Sequence, residues 1–381
     1  MGAIDTGLAC ADALRLAVTV ERELDPQVNR IDRDGHYPAA ALRALGSQGA
    51  FGHHLATQRA DGVRDLPGAI DALATIGRSC GSTAFMGWCQ DACAWYVEQG
   101  ASETLRGDLL PALARGEVLG GTGMSNPMKY FASIERLALT GRRVPGGWEV
   151  SGRLPWVSNL GRDHVFGTAF MPVDAGGTPR PGQGVEVMAL MHCDWPGLRL
   201  EPVPPFLAMD GTGTYALVFE RVLVPDDHVL ADPIGPWLKR VRNGFVLLQV
   251  GIGAGIIDGC IALMRDANLR LGHVNAFLDD GPDALEDELG ALRERVGRLS
   301  PSVLDPADGC FAEVLTARLM ASELTLRATQ SAMLHCGASG YALASPAQRR
   351  LREGYFVAIV TPAIKHLRKE LHRLMGAGAA A

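Results

Sequence analysis

The sequence predicts an α+β protein in three parts: an N-terminal helical domain over 1–117, a central antiparallel β domain over 118–232 and a C-terminal four-helix bundle over 233–381. Apolar residues recur every three or four positions up to about Glu117. The texture then breaks into short β-branched and aromatic runs separated by Gly and Pro, and after Pro236 long helical periodicity returns. With 381 residues, 47% hydrophobic and 20% charged, the chain can fill cores for two or three domains, which excludes a disordered or collagen-like protein.

In the first part helical repeats fall at Ala13–Val20, Pro38–Leu45, Leu66–Ile76 and Leu105–Leu113, with Gly49 and Gly52 as punctuation. Pro38 suits a first helical turn, where its missing N–H costs nothing. In the second part strands are expected at Trp148–Ser151, His164–Phe170, Val185–Met191 and Tyr215–Glu220, with a turn at Pro145–Gly147. In the third, helices are expected over Val241–Leu269, Ala284–Leu299, Cys310–Cys336 and Ala347–Leu374. Gly251, Gly253 and Gly255 lie inside the first of these. A dinucleotide fingerprint would need glycine at Ile256 or Asp258 and a strand-to-helix turn, so these glycines read as permitting close helix packing.

Thirty-six basic against 42 acidic residues give a net charge of −6, and no basic block offers a track for a phosphate backbone. Nucleic acid is therefore not an expected partner. The start, Met1–Thr6, lacks the basic and apolar regions of a secretory signal, and although Gly2 and Thr6 fit a myristoylation pattern, nothing polybasic follows. The longest apolar run, Gly244–Ile257, falls short of the roughly 20 residues that span a bilayer. The expectation is a soluble, cytoplasmic protein without a membrane partner. The eight cysteines form no CxxC pair, so no metal site is expected; Cys89 and Cys93, four apart, read as thiols of a buried helix.

Four segments in order carry a resemblance. Gly121–Pro127 stands where one family has "x-C-V-T-E-P". Gly152, Trp156, Ser158 and Asn159 fit "G-x-K-x-W-I-T-N-G", and Val218–Pro225 is similar to "F-D-D-V-R-V-P". Gly337–Tyr341 followed by Pro346–Glu353 is similar to "G-G-x-G-Y…P-x-x-R-x-x-R-D". The chain thereby resembles the acyl-CoA dehydrogenase flavoproteins over nearly its whole length, including the related flavin-dependent monooxygenases. The resemblance implies an FAD-dependent oxidoreductase with a small-molecule substrate. Trp156 would wall the flavin, the hydroxyls of Ser125 and Ser158 would donate to it, the backbone N–H groups of Met124 and Ser158 would assist, and Thr122 and Val157 would complete the contacts. It also implies a homotetramer or homodimer, and an electron-transfer protein or flavin reductase as partner.

The departures from that pattern bear on mechanism. The family's catalytic glutamate lies nine residues after the R-D arginine, where this chain has Thr361; a minority place it before an arginine matched by Arg242, where this chain has Val241. A threonine hydroxyl is no general base near neutrality, so the base is absent at both positions. Tyr130–Ala132 replaces the "G-S-D" that helps seat acyl-CoA. Leu334 replaces a glutamine, and "R-x-x-F-G" survives only as Arg270–Gly272; in relatives those residues hold the adenine half of FAD, so FMN or a loosely held reduced flavin is an alternative cofactor. His53 and His54 follow Gly52, and His335 and His366 fall in segments that border the flavin in relatives, which makes the latter two the further candidates for catalysis. The leading expectation is an oxidoreductase of unassigned substrate. Its alternatives are a two-component monooxygenase using reduced flavin and O2, and a catalytically silent binder on the same fold.

Overall fold

The computed structural model describes residues 13–182 and 184–378. The signal-sequence and myristoylation readings of Met1–Thr6, and Cys10, lie outside them. In the first part helix α1 (13–19) is followed by α2 (Val28–Asp34), α3 (Ala39–Ser47), α4 (Leu66–Ser79), α5 (Gly81–Glu98) and α6 (Leu110–Ala114). Asp65 caps α4 by accepting from the Gly68 N–H at 2.9 Å. Every residue of α5 is buried, Cys89 and Cys93 among them, so it is the central rod of this part.

The sheet runs β1 (Gly120–Thr122), β2 (Leu139–Val144), β3 (Gly147–Val157), β4 (Val165–Val173), β5 (Val187–His192), β6 (Leu198–Pro202), β7 (Tyr215–Pro225) and β8 (Val229–Ala231). Its spatial order is β6-β7-β3-β2-β4-β5-β8, with β1 beside β4. The sheet is mainly antiparallel, as expected, with two parallel pairings added: β1 and β2 each pair with β4 in parallel. A short helix, α7 (Ser125–Phe131), also interrupts this part directly after β1.

Six helices follow: α8 (Ile234–Leu248), α9 (Val250–Asn275), α10 (Pro282–Leu299), α11 (Asp308–Cys336), α12 (Pro346–Ile359) and α13 (Ile364–Gly378). Two expected helices are thus each divided. The expected Val241–Leu269 starts seven residues earlier and breaks at Gln249. The expected Ala347–Leu374 breaks over 360–363, because Pro362 has no N–H to give a helix and disfavours the helical conformation at Thr361. The stretch Ile234–Asn275 is long and apolar enough to cross a bilayer, a correction to the shorter run read from the sequence, but 83% of its most apolar window is buried within the fold.

The glycines of α9 do what their spacing implied. A Cβ at Gly255 would lie 2.3 Å from the Ala74 carbonyl oxygen and 2.7 Å from the Gly77 Cα, and one at Gly251 would lie 2.7 Å from the Ile70 oxygen. Helices α4 and α9 therefore touch backbone to backbone. A seam of arginines ties α12 to the N-terminal helices: Arg349 donates to the Ser79 carbonyl at 2.9 Å, Arg350 to the Gly77 carbonyl at 3.3 Å, and Arg352 grips Asp32 at 2.6 and 2.9 Å. Glu353, buried, accepts from Arg349 at 2.9 Å and from the Gly81 N–H at 3.2 Å, which makes it a structural ion-pair partner.

Candidate functional site

The seam closes one side of a cavity of about 400 Å³ between the sheet, α5, α8 and α12. Strand β3 supplies one of its exposed aromatics. Leu154 pairs with Leu217 and Val157 with Tyr215, so β3 carries one residue more than β7 there, a bulge at Pro155 and Trp156. Proline suits a bulge because it has no ladder hydrogen bond to lose. The bulge resets the in-and-out alternation: Leu154 and Val157 both point into the core, and Trp156 turns out, 45% exposed, into the cavity against Phe206 at 5.5 Å. Beyond it Asn159 takes the left-handed conformation (φ 61°), which asparagine tolerates, and is locked by Tyr37 at 2.6 Å and by its own bond to the Gly120 carbonyl at 2.7 Å. That lock sets Ser158 opposite Thr122.

The hydroxyls have a direction. Thr212 Oγ1 donates to the Met209 carbonyl at 2.7 Å, and a carbonyl only accepts. Thr214 must then donate to Thr212 at 2.8 Å, and Ser158 to Thr214 at 2.7 Å. The Ser158 hydroxyl therefore presents a lone pair to the cavity, whereas the sequence reading had it as a donor. Across the cavity Ser125 Oγ and Thr361 Oγ1 are 3.0 Å apart. One of their two hydrogens is used between them, which leaves one for a ligand. Thr361 is held from behind: Gln249 donates to its carbonyl at 2.9 Å and accepts from Arg318 Nε at 2.8 Å. Arg318 is fully buried, also donates to Ser322 and to the Val357 carbonyl, and has no carboxylate partner among the described residues; burial pushes its guanidinium down to about 10.

The remaining lining is apolar and aromatic. Phe85 stacks with Trp88 at 5.7 Å and meets Phe356 edge-on at 4.6 Å, and Trp88 meets Phe245 at 5.1 Å. Among the described residues the lining contains no Asp, Glu, His or Cys. Its two cations are occupied, Lys129 by Glu135 at 2.9 Å and Arg352 by Asp32.

Of the residues singled out from sequence, Thr122, Ser125, Trp156, Ser158 and Thr361 line this cavity. Met124 and Val157 do not: their side chains are buried in the helical and the sheet core respectively, and the Met124 N–H points to Thr122 Oγ1 at 3.4 Å. His335 lies elsewhere, bonded to the Ser331 carbonyl at 2.8 Å in a second cavity of about 280 Å³ beside Phe277, Asp280, Arg327 and Leu334. His366 is buried on α13, its pKa lowered by desolvation, and does not reach the first cavity. Phe85, Trp88, Phe245, Thr212 and Thr214 were not read as site residues. They are single aromatics and hydroxyls on separate elements, with no shared spacing to reveal them.

The model for the acyl-CoA dehydrogenase N-terminal domain matches residues 13–117. A probable acyl-CoA dehydrogenase of Bacillus subtilis is 23% identical over 360 residues, covering 89% of this chain and 90% of its own length. The structure of butyryl-CoA dehydrogenase from Megasphaera elsdenii superposes with a TM-score of 0.83 at 16% identity, covering 96% of this chain and 97% of that one. Residues 13–117 thus match the acyl-CoA dehydrogenase N-terminal domain, and the chain as a whole has the fold of the solved acyl-CoA dehydrogenases. Within that fold, KijD3 solved with FMN and a dTDP sugar superposes with a TM-score of 0.77 at 21% identity, covering 97% of this chain and 94% of that one.

Proposed function

We propose that the protein is a flavin-dependent oxidoreductase of a small-molecule substrate, and that it does not remove an α-proton from a thioester with a carboxylate. The observation that carries this reading is Trp156, turned by a bulge out of the sheet and into a cavity edged by the hydroxyls of Ser158, Thr122 and Ser125. A flat, amphipathic heterocycle needs an aromatic wall and a few convergent polar groups, and these residues fit that demand. A flavin supplies transfer of one or two electrons. With a flavin bound, Trp156 would offer it an aromatic wall, Ser158 an acceptor and the Ser125–Thr361 pair its spare hydrogen, and Phe85, Trp88, Phe245 and Phe356 would exclude water.

The absence of Asp, Glu, His and Cys from the lining favours the second reading, a monooxygenase that receives reduced flavin from a partner reductase and consumes O2, since that chemistry needs no carboxylate to deprotonate a carbon. FMN or reduced flavin suits this chain better than tightly held FAD. Leu334 brings no side-chain hydrogen-bonding group where the family pattern has a glutamine toward the adenine half of FAD.

The test is titration of purified protein with FAD, FMN and their reduced forms, followed by anaerobic addition of saturated straight-chain acyl-CoAs. A bound flavin that the thioesters leave unbleached is the expected result. Preference for the reduced form supports the monooxygenase, fast bleaching overturns the claim about the missing base, and no affinity for flavin in any state overturns the whole reading in favour of a ligand binder.

A further inference from the structure

Away from the cavity, β5 ends on His192, and the turn Asp226–His228 that leads into β8 ends on His228. Strands β5 and β8 are antiparallel neighbours, Ala189 opposite Val229, which brings the two imidazoles together. Their ring centroids are 5.4 Å apart, and the two Nε2 atoms face each other at 3.4 Å. Trp195 stacks on His192 at 5.3 Å and meets His228 edge-on at 5.0 Å, fixing both rings. Both histidines are half-buried and accessible to solvent solutes.

Asp227 decides the tautomer of one ring. Its Oδ1 lies 2.9 Å from His228 Nδ1, and a carboxylate only accepts, so His228 carries its hydrogen on Nδ1 and leaves the Nε2 lone pair toward His192. At 3.4 Å His192 Nε2–H donates a long hydrogen bond to that lone pair, and a metal ion would take the place of its proton. Two nitrogens each about 2.0–2.1 Å from a tetrahedral ion are separated by roughly 3.3–3.4 Å. The observed spacing matches that edge. A carboxylate behind one imidazole is also the usual outer partner of a metal-bound histidine.

We infer that His192 and His228 form a two-imidazole site for a divalent transition-metal ion, with Asp227 as the positioning residue for His228. Paired imidazole nitrogens select Zn2+, Cu2+ or Ni2+ over Mg2+ and Ca2+, which prefer oxygen. Among the described residues no three His, Cys, Asp or Glu side chains converge, so water completes the coordination and the site exchanges its ion freely.

The test uses the full chain after treatment with a chelator. Addition of CuCl2 should quench part of the tryptophan emission with a stoichiometry of one per chain, and the Cu2+ paramagnetic resonance spectrum should carry couplings from two imidazoles. His192→Gln and His228→Gln should each weaken binding at least about tenfold, Asp227→Asn by about tenfold, and Trp195→Phe should keep the binding while losing the quench. If the glutamine variants do not fold, the resonance spectrum of the unaltered protein decides. Couplings from two imidazoles support the site; no saturable binding, one imidazole, or undiminished affinity in the folded glutamine variants overturns it.

Discussion

Trp156 and Gln249 show how differently two residues can support one cavity. Trp156 touches mainly Phe206 and the open space, so Trp156→Ala should cost well under the roughly 3–5 kcal/mol that follows loss of a core aromatic, while flavin occupancy falls sharply. Thermal melts together with flavin stoichiometry check this; an early melt with full occupancy would place the indole in a packing role. Gln249 is the reverse case. Its side chain satisfies the Arg318 Nε–H and the Thr361 carbonyl in a fully buried place, so Gln249→Leu orphans two groups, one of them on a cation. At about 1–3 kcal/mol for each orphan, urea denaturation should report a loss of about 3 kcal/mol or more. Nothing in the sequence marks this glutamine, because its partners lie 69 and 112 residues away and belong to no motif.

At the scale of the element, α9 sets helix propensity against contact distance. Gly255→Ala would raise the helix propensity by about 1 kcal/mol. The added methyl would press on the backbone of α4 at 2.3 Å, where nothing flexible can yield. Overpacking costs about 1–3 kcal/mol and often more at backbone, so the variant should be less stable than the parent by calorimetry. Asp91 of α5 and His54, from the turns before α4, form a pair with opposite proton habits. Burial pushes His54 down to about 4 and Asp91 well up, with the His54 Nδ1 3.7 Å from the carboxylate. Between pH 6.5 and 4 the unfolded chain takes a proton on the histidine that the folded one refuses, so this term loses stability as pH falls. Asp91 works the other way, because the folded state keeps a proton that the unfolded carboxyl releases above about pH 4. The two slopes oppose each other. Asp91→Asn removes one of them, so its stability should fall by up to about 3 kcal/mol from pH 6.5 to 4, more steeply than the parent's, in denaturant titrations at each pH. Of α5 only the stretch around Cys89 and Cys93 was read as a buried helix: α5 is buried on all sides, so its apolar residues have no period to follow, whereas the amphipathic α4 was legible from Leu66–Ile76. The break between α12 and α13 had a visible cause in Pro362, outweighed by the apolar repeat on either side.

Over the whole molecule, the late helices leave large apolar side chains uncovered. Leu269 and Phe277 are more than four-fifths exposed, and Leu343 and Met375 are similarly open. Covering side chains of this size favours association, so light scattering at micromolar concentration should give a dimer or tetramer, and a monomer would contradict it. The order of helices, sheet and helices was plain from texture alone. The cavity was half visible: Trp156 and Ser158 stand in a recognisable string, while Thr212, Thr214 and the aromatic ring of α5 and α8 meet only through tertiary packing.

The cavity's lining runs from Phe85 to Thr361, and its seam reaches back to Asp32. A copy still on the ribosome, or clipped before Arg352, lacks the α12 wall of that cavity. Any molecule held against this wall therefore stabilises only chains folded past it, by about 2.7 kcal/mol at a hundredfold excess over its Kd. Where proteases compete for loosely folded copies, the supply of that molecule would set how many finished chains survive, and the amount of protein in a cell would track its ligand even with synthesis held constant.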